Sequence, residues 1–226
     1  MARRRGNRGA GEAGRVLRLG GILALLTALV LGAAALRLIN QGASPAEAEA
    51  RLPNYVTKDL LEVNEWSRPG EPLKRVRGVV LHYVGNPGTS AQANRNYFNS
   101  LASGELGVYA SSHFIVGLEG EVIQCVPLTE IAYASNSRNG DTVSVEVCHP
   151  DEAGEYAPVT YARVAELAAW LCWEFRLDPK EDVIRHYDVS GKLCPLYYVE
   201  HEEAWDQLRA DVQAEIGAQR AAEKNS

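Results

Sequence analysis

Apolar and polar positions along this chain switch between two periods. Val79 to Val84 is a short, nearly continuous apolar run bounded by Gly78 and Gly85, the pattern of a strand buried on both faces. His82 stands near its C-terminal end. Ser90 is placed to cap a helix whose inner stripe is Asn94, Tyr97, Phe98 and Leu101, closed off by Gly104. His113 to Val116 and Glu121 to Cys125 are strand-like runs with Gly117 and Gly120 between them, which predicts a hairpin. Thr142 to Cys148 alternates apolar and polar residues, so Ser144, Glu146 and Cys148 share one face. From Thr160 the period lengthens, with Val164, Leu167, Ala168, Leu171, Cys172 and Phe175 forming a helical stripe. A further strand ends at Val183-Ile184-Arg185-His186, and a last helix follows Pro195 with Trp205, Leu208, Val212 and Ile216 inward. Strands and helices alternate without an internal repeat, which predicts an α/β domain: a single mixed central sheet flanked by helices.

The first part of the chain has a different pattern. No charged residue occurs from Leu19 to Leu36, about the length needed to cross ~30 Å of hydrocarbon. Six arginines and one acid, Glu12, occupy the stretch up to Arg18. By the positive-inside bias this predicts a cytoplasmic basic tail (1–18), one transmembrane signal anchor (19–40) and everything later outside the membrane. Two fates are open: a retained anchor, or a secretory signal cleaved within Gly32 to Ala35 or Ala46 to Ala50. The expected location is therefore a single-pass cell-membrane protein with its domain extracellular, or a secreted protein if the signal is cut. Residues 41–74, rich in Ala, Glu and Pro, are expected to form a stalk. The alternative is that Tyr55 to Trp66 docks on the domain as an arm. The globular domain is assigned to 75–217, and 218–226 to a disordered tail.

Composition narrows the function only slightly. The chain has 226 residues, of which 46% are hydrophobic and 23% charged, as in an ordinary globular protein. Beyond Arg18, 17 basic residues face 28 acidic ones. That imbalance argues against nucleic acid as the partner, because phosphate binding needs a basic face. The chain is read as a monomer.

The chemistry concentrates in Arg185-His186-Tyr187-Asp188-Val189-Ser190-Gly191-Lys192-Leu193-Cys194-Pro195. A histidine and a thiolate at the two ends of a glycine-containing loop suit one Zn²⁺. A catalytic zinc needs three protein ligands and one open position, and His82 is the candidate third ligand.

Leu81-His82-Tyr83-Val84-Gly85-Asn86-Pro87, Ser111-Ser112-His113-Phe114-Ile115-Val116, Ser144-Val145-Glu146-Val147-Cys148 and His186 to Pro195 occur in the order and spacing of a known family. From Gly78 to Glu215 the chain resembles the zinc-dependent N-acetylmuramoyl-L-alanine amidases, which include prophage endolysins and autolysins. The resemblance implies the fold shared with peptidoglycan recognition proteins. It also implies hydrolysis of the amide between N-acetylmuramic acid and L-alanine, with peptidoglycan as partner and Zn²⁺ as cofactor. It assigns His82, His186 and Cys194 to the metal, Glu146 to acid/base catalysis and Lys192 to the oxyanion. One departure is Ser112, which stands where some phage members carry a catalytic Tyr.

Several readings remain open. A non-catalytic peptidoglycan-binding module of the same fold is the first alternative, and a thiol hydrolase using Cys194 and His186 is the second. His113 reads as a structural histidine, His149 and His201 as surface residues, and Asp188 as a turn residue or a support for a metal ligand. Tyr83, Tyr97, Tyr109, Tyr133, Asn136 and Asn139 suit a glycopeptide groove, and Tyr187 and Asn86 are expected near the site. Cys125, Cys148 and Cys172 are expected as free buried thiols, with a Cys125 to Cys148 bridge left open.

Overall fold

The computed structural model describes residues 42–224. The elements in chain order are α1 (Pro45–Glu49), β1 (Val56–Lys58), β2 (Val79–Leu81), α2 (Ala91–Ser100), β3 (Phe114–Val116), β4 (Val122–Gln124) and β5 (Val143–Val147). They continue with α3 (Pro158–Phe175), α4 (Pro179–Asp182), β6 (Val183–Arg185), α5 (His186–Ser190), α6 (Leu196–Glu200) and α7 (Glu202–Lys224). The six strands form one sheet in the order β1-β4-β3-β5-β2-β6. Only β3 and β4 pair antiparallel, as the hairpin pattern predicts; every other neighbour is parallel. This is the mixed central sheet flanked by helices.

Both faces of the sheet are covered, and the alternation of each strand decides what goes where. Val143, Val145 and Val147 of β5, with Phe114 and Val116 of β3, pack with Val164, Leu167, Ala168 and Leu171 of α3 and Trp205, Leu208, Val212 and Ile216 of α7. Ile115, Ile123 and Cys148 point the other way, toward Phe98 of α2 and Leu101 just after it. Ser90 caps α2 by accepting the Ala93 amide at 3.2 Å. Tyr97 departs from the expected inner stripe: it is 46% exposed.

Three expectations about the chain ends are corrected. No helix among the described residues is long and apolar enough to cross a membrane. The 1–18 tail and the 19–40 segment lie outside those residues, so the expected membrane location is not supported. The 41–74 stalk is instead part of the folded unit from Gly42 onward. Ala48 and Leu73 enter the main core, Leu61 enters the second, and β1 pairs with β4. The reason is that β4 would otherwise present an open edge, and three extended residues satisfy it. The docked-arm alternative describes this arrangement. Residues 218–224, expected in a disordered tail, continue α7 past the buried Ile216, since Ala, Glu, Gln and Arg favour helix.

Candidate functional site

Strand register builds the site. In the parallel pairing, Leu81 of β2 stands beside Val145 of β5 on one side and Arg185 of β6 on the other. One residue further, past the C-terminal ends of β2 and β6, His82 therefore stands between Glu146 and His186. Neighbouring strands lie about 4.8 Å apart, and the two imidazole centroids are 4.7 Å apart. His82 Nδ1 is 3.9 Å from Glu146 Oε1. Ligand sites in open α/β sheets commonly form at this end of the strands.

Cys194 is returned to the same place by a short loop. α5 begins at His186, and the Asp188 carboxylate caps it by accepting the Arg185 amide at 2.8 Å and pairing with the Arg185 guanidinium at 2.9 Å. Asp188 thus acts on the backbone before His186. Gly191 ends the helix at φ 76°, a left-handed conformation that glycine adopts without a steric penalty. The Tyr187 amide donates to the Cys194 carbonyl at 2.9 Å and closes the loop. Cys194 Sγ then lies 3.8 Å from His82 Nδ1. One candidate ligand atom from each of His82, His186 and Cys194 lies within 4.8 Å of the others, and all three residues are buried.

Two imidazoles and a thiol converging in this way fit a zinc-type donor set. A buried orphan supports the fit: His186 Nδ1 has no hydrogen-bond partner. Burial dominates the electrostatics of the site. Burial, the nearby His186 and the Lys192 ammonium hold His82 well below the usual histidine range. Burial and Lys192 also lower His186. Burial pushes the Cys194 thiol up to about 12, with Glu146 adding to the rise and the Tyr83 amide and Lys192 opposing it. A thiol so disfavoured as an anion is a poor nucleophile by itself, although a coordinated cation would deprotonate it. Burial raises Glu146 to about 8 against the pull of Lys192, and its Oε2 is buried without a partner.

Above these groups is a cavity of about 470 Å³ whose lining includes Glu146, Lys192, Tyr97, Tyr109, Tyr133 and Asn136. Tyr83 and Asn139 also border it, whereas Tyr187 and Asn86 do not. Ser112 is fully buried, and its hydroxyl donates to the Ser144 carbonyl at 2.9 Å, so it does not face the cavity. His113 is buried with both ring nitrogens bonded, to Ser144 and the Glu130 carbonyl. His149, expected at the surface, is 1% exposed and lies beneath the Tyr83 ring at 5.0 Å between centroids. His201 is partly exposed. All four cysteines are free and buried.

The sequence offered no signal for Ser135, which follows the Tyr133-Ala134 segment of the cavity wall. Its hydroxyl lies 3.3 Å from His82 Nε2. Asn136, expected only in a groove, has its Oδ1 2.6 Å from His186 Nε2.

BlyA, an N-acetylmuramoyl-L-alanine amidase of Bacillus subtilis, is 32% identical over 180 residues, covering 71% of this chain and 47% of that protein. CwlL, of the same description from Bacillus licheniformis, is 32% identical over 174 residues, covering 72% and 48%. The chain thus spans about half the length of the curated relatives it matches. Among solved structures, PlyL aligns with a TM-score of 0.59 at 20% identity over 70% of this chain and 96% of that one. A mutant endolysin from Bacillus subtilis aligns with a TM-score of 0.57 at 23% identity over 70% and 97%. These two likenesses show the fold. The family profile described as N-acetylmuramoyl-L-alanine amidase matches residues 72–196, more than half of the sequence, and by that match the chain belongs to the N-acetylmuramoyl-L-alanine amidase family.

Proposed function

We propose that this chain is a zinc-dependent enzyme that hydrolyses the amide between N-acetylmuramic acid and L-alanine in peptidoglycan. The observation that carries the reading is the meeting of His82, His186 and Cys194 beside the buried carboxylate of Glu146, at the floor of an open cavity, in a chain of this family. His82, His186 and Cys194 would hold the metal. When bound, Zn²⁺ supplies Lewis-acid polarisation of a carbonyl and of a water molecule.

The remaining chemistry belongs to the chain. Glu146 takes a proton from the attacking water and delivers it to the leaving amine. A carboxyl raised by burial toward neutrality suits both halves of that transfer. Lys192, on the cavity wall, places an ammonium where negative charge develops on the carbonyl oxygen. Tyr97, Tyr109 and Tyr133 of the lining offer flat apolar faces to sugar and peptide and narrow the access of bulk water. Domain limits follow from the same reading: the catalytic unit includes the docked segment after Gly42 rather than beginning at 75.

The test is metal content measured together with the mass of the product from a defined muropeptide. The expected result is about one zinc per chain, with release of a stem peptide bearing a free L-alanine amine. Chelation should abolish that release and added zinc should restore it. Full zinc occupancy without turnover would instead support the non-catalytic peptidoglycan-binding module.

A further inference from the structure

We infer that Ser135 and Asn136 are positioning residues that grip both histidines of the proposed metal centre from outside and fix which nitrogen each ring turns inward. This inference rests on the metal reading above.

The two residues are adjacent in sequence, and each addresses one ring at its Nε2. Ser135 Oγ lies 3.3 Å from His82 Nε2, and Asn136 Oδ1 lies 2.6 Å from His186 Nε2. An amide oxygen only accepts hydrogen bonds, so His186 Nε2 must carry the proton. A neutral imidazole has one N–H and one lone pair, which leaves the lone pair on Nδ1. That nitrogen is buried and unpartnered. At His82 the arrangement is the same: Nε2 faces the serine hydroxyl, while Nδ1 faces Cys194 Sγ at 3.8 Å. A hydroxyl accepts as readily as it donates, so it permits the same tautomer. When both N–H groups are directed outward, both lone pairs remain for a cation, and neither ring can swing without breaking its outer bond.

The loop is held in place for this task. Asn139 Oδ1 accepts the amides of Ser135 at 2.6 Å and Ala134 at 3.1 Å. The Arg138 amide donates to the Ser135 carbonyl at 2.9 Å, and the Tyr133 amide donates to Ser111 Oγ at 2.9 Å. Asn136 itself has φ 50°, a left-handed conformation that asparagine tolerates better than most residues with a Cβ. The side chain that reaches His186 thus comes from a backbone that local bonds have already shaped.

The left-handed backbone also dictates the test. Asn136→Gly and Asn136→Asp both accept this conformation, but only aspartate keeps an acceptor for the ring N–H. Wild type, both variants and Ser135→Ala are titrated with Co²⁺ against a competing chelator, following the thiolate-to-cobalt absorption, and the unfolding midpoint of each metal-free protein is recorded. The expected result is a loss of affinity of about 10- to 100-fold in Asn136→Gly and in Ser135→Ala, with recovery in Asn136→Asp. The metal-free midpoints of the glycine and aspartate variants should stay close together, which a merely structural loop residue would not combine with a large difference in affinity. Equal affinity in Asn136→Gly and wild type, or no recovery in Asn136→Asp, overturns the positioning role while leaving the metal centre standing. A wild-type protein that takes up no cobalt overturns both.

Discussion

Acidification should weaken this fold through His113, a group outside the proposed chemistry. Its ring is buried against β5, where Nδ1 accepts the Ser144 amide at 3.0 Å and Nε2 donates to the Glu130 carbonyl at 3.0 Å. Burial, opposed by the Glu130 carbonyl bond and the charges of Glu49 and Glu130, pushes its pKa from the ordinary 6.5 down to about 4. The unfolded chain therefore binds a proton near pH 6.5 that the folded chain refuses until about pH 4. Unfolding takes up that proton throughout the window, so stability falls as the pH falls. The contribution is intact above about pH 6.5, is lost progressively toward pH 4, and changes no further below it. At about 1.4 kcal/mol per pH unit, the window amounts to about 3 kcal/mol, a substantial part of the 5–15 kcal/mol that typically separates folded from unfolded domains. Urea unfolding of chelator-treated protein, followed by tryptophan fluorescence between pH 7.5 and 4, measures it. His82 and His186 titrate in the same direction, so wild type is compared with His113→Gln, in which both remain. The variant should lose stability less steeply with falling pH, by close to one proton. Parallel curves for the two proteins would refute the reasoning.

Glu146→Gln should retain metal while its kcat for muropeptide cleavage drops about 10²- to 10⁴-fold, the range for a lost acid/base; full activity would remove Glu146 from the mechanism. Lys192→Met, measured in the same assay, should reduce kcat about 10²- to 10³-fold with metal content unchanged. Leu208→Ala opens a cavity where α7 meets α3, at a side chain with 0% exposure, and should destabilise the domain by about 2–5 kcal/mol in chemical denaturation.

Local pattern was a good guide wherever one face of an element meets only core. The stripe from Val164 to Phe175 is buried throughout α3, and the alternation of β5 sends its three valines to one side and Ser144 and Glu146 to the other. The same reasoning failed at Tyr97, because an apolar position facing a cavity and one facing a core give the same periodicity. It failed at His149, which is 1% exposed and has the ring of Tyr83, a residue distant in sequence, against it. The Pro- and Ala-rich composition of 41–74 pointed to a stalk, since composition reports local stiffness and not whether a sheet edge elsewhere needs a partner.

The sequence by itself determined which chemical groups are present and at which element ends they stand: a histidine closing each of two strands, a carboxylate on the polar face of a third, and a cysteine before a proline. Tertiary structure alone decided that these groups meet. The parallel register of β6, β2 and β5 sets residues 186, 82 and 146 side by side across gaps of many residues. It alone decided that Ser135 and Asn136 hold the histidines' outer nitrogens. The physical reason is that periodicity along a chain specifies which way a side chain faces, whereas the neighbour it faces is set by strand order and loop closure, which depend on the packing of the whole domain.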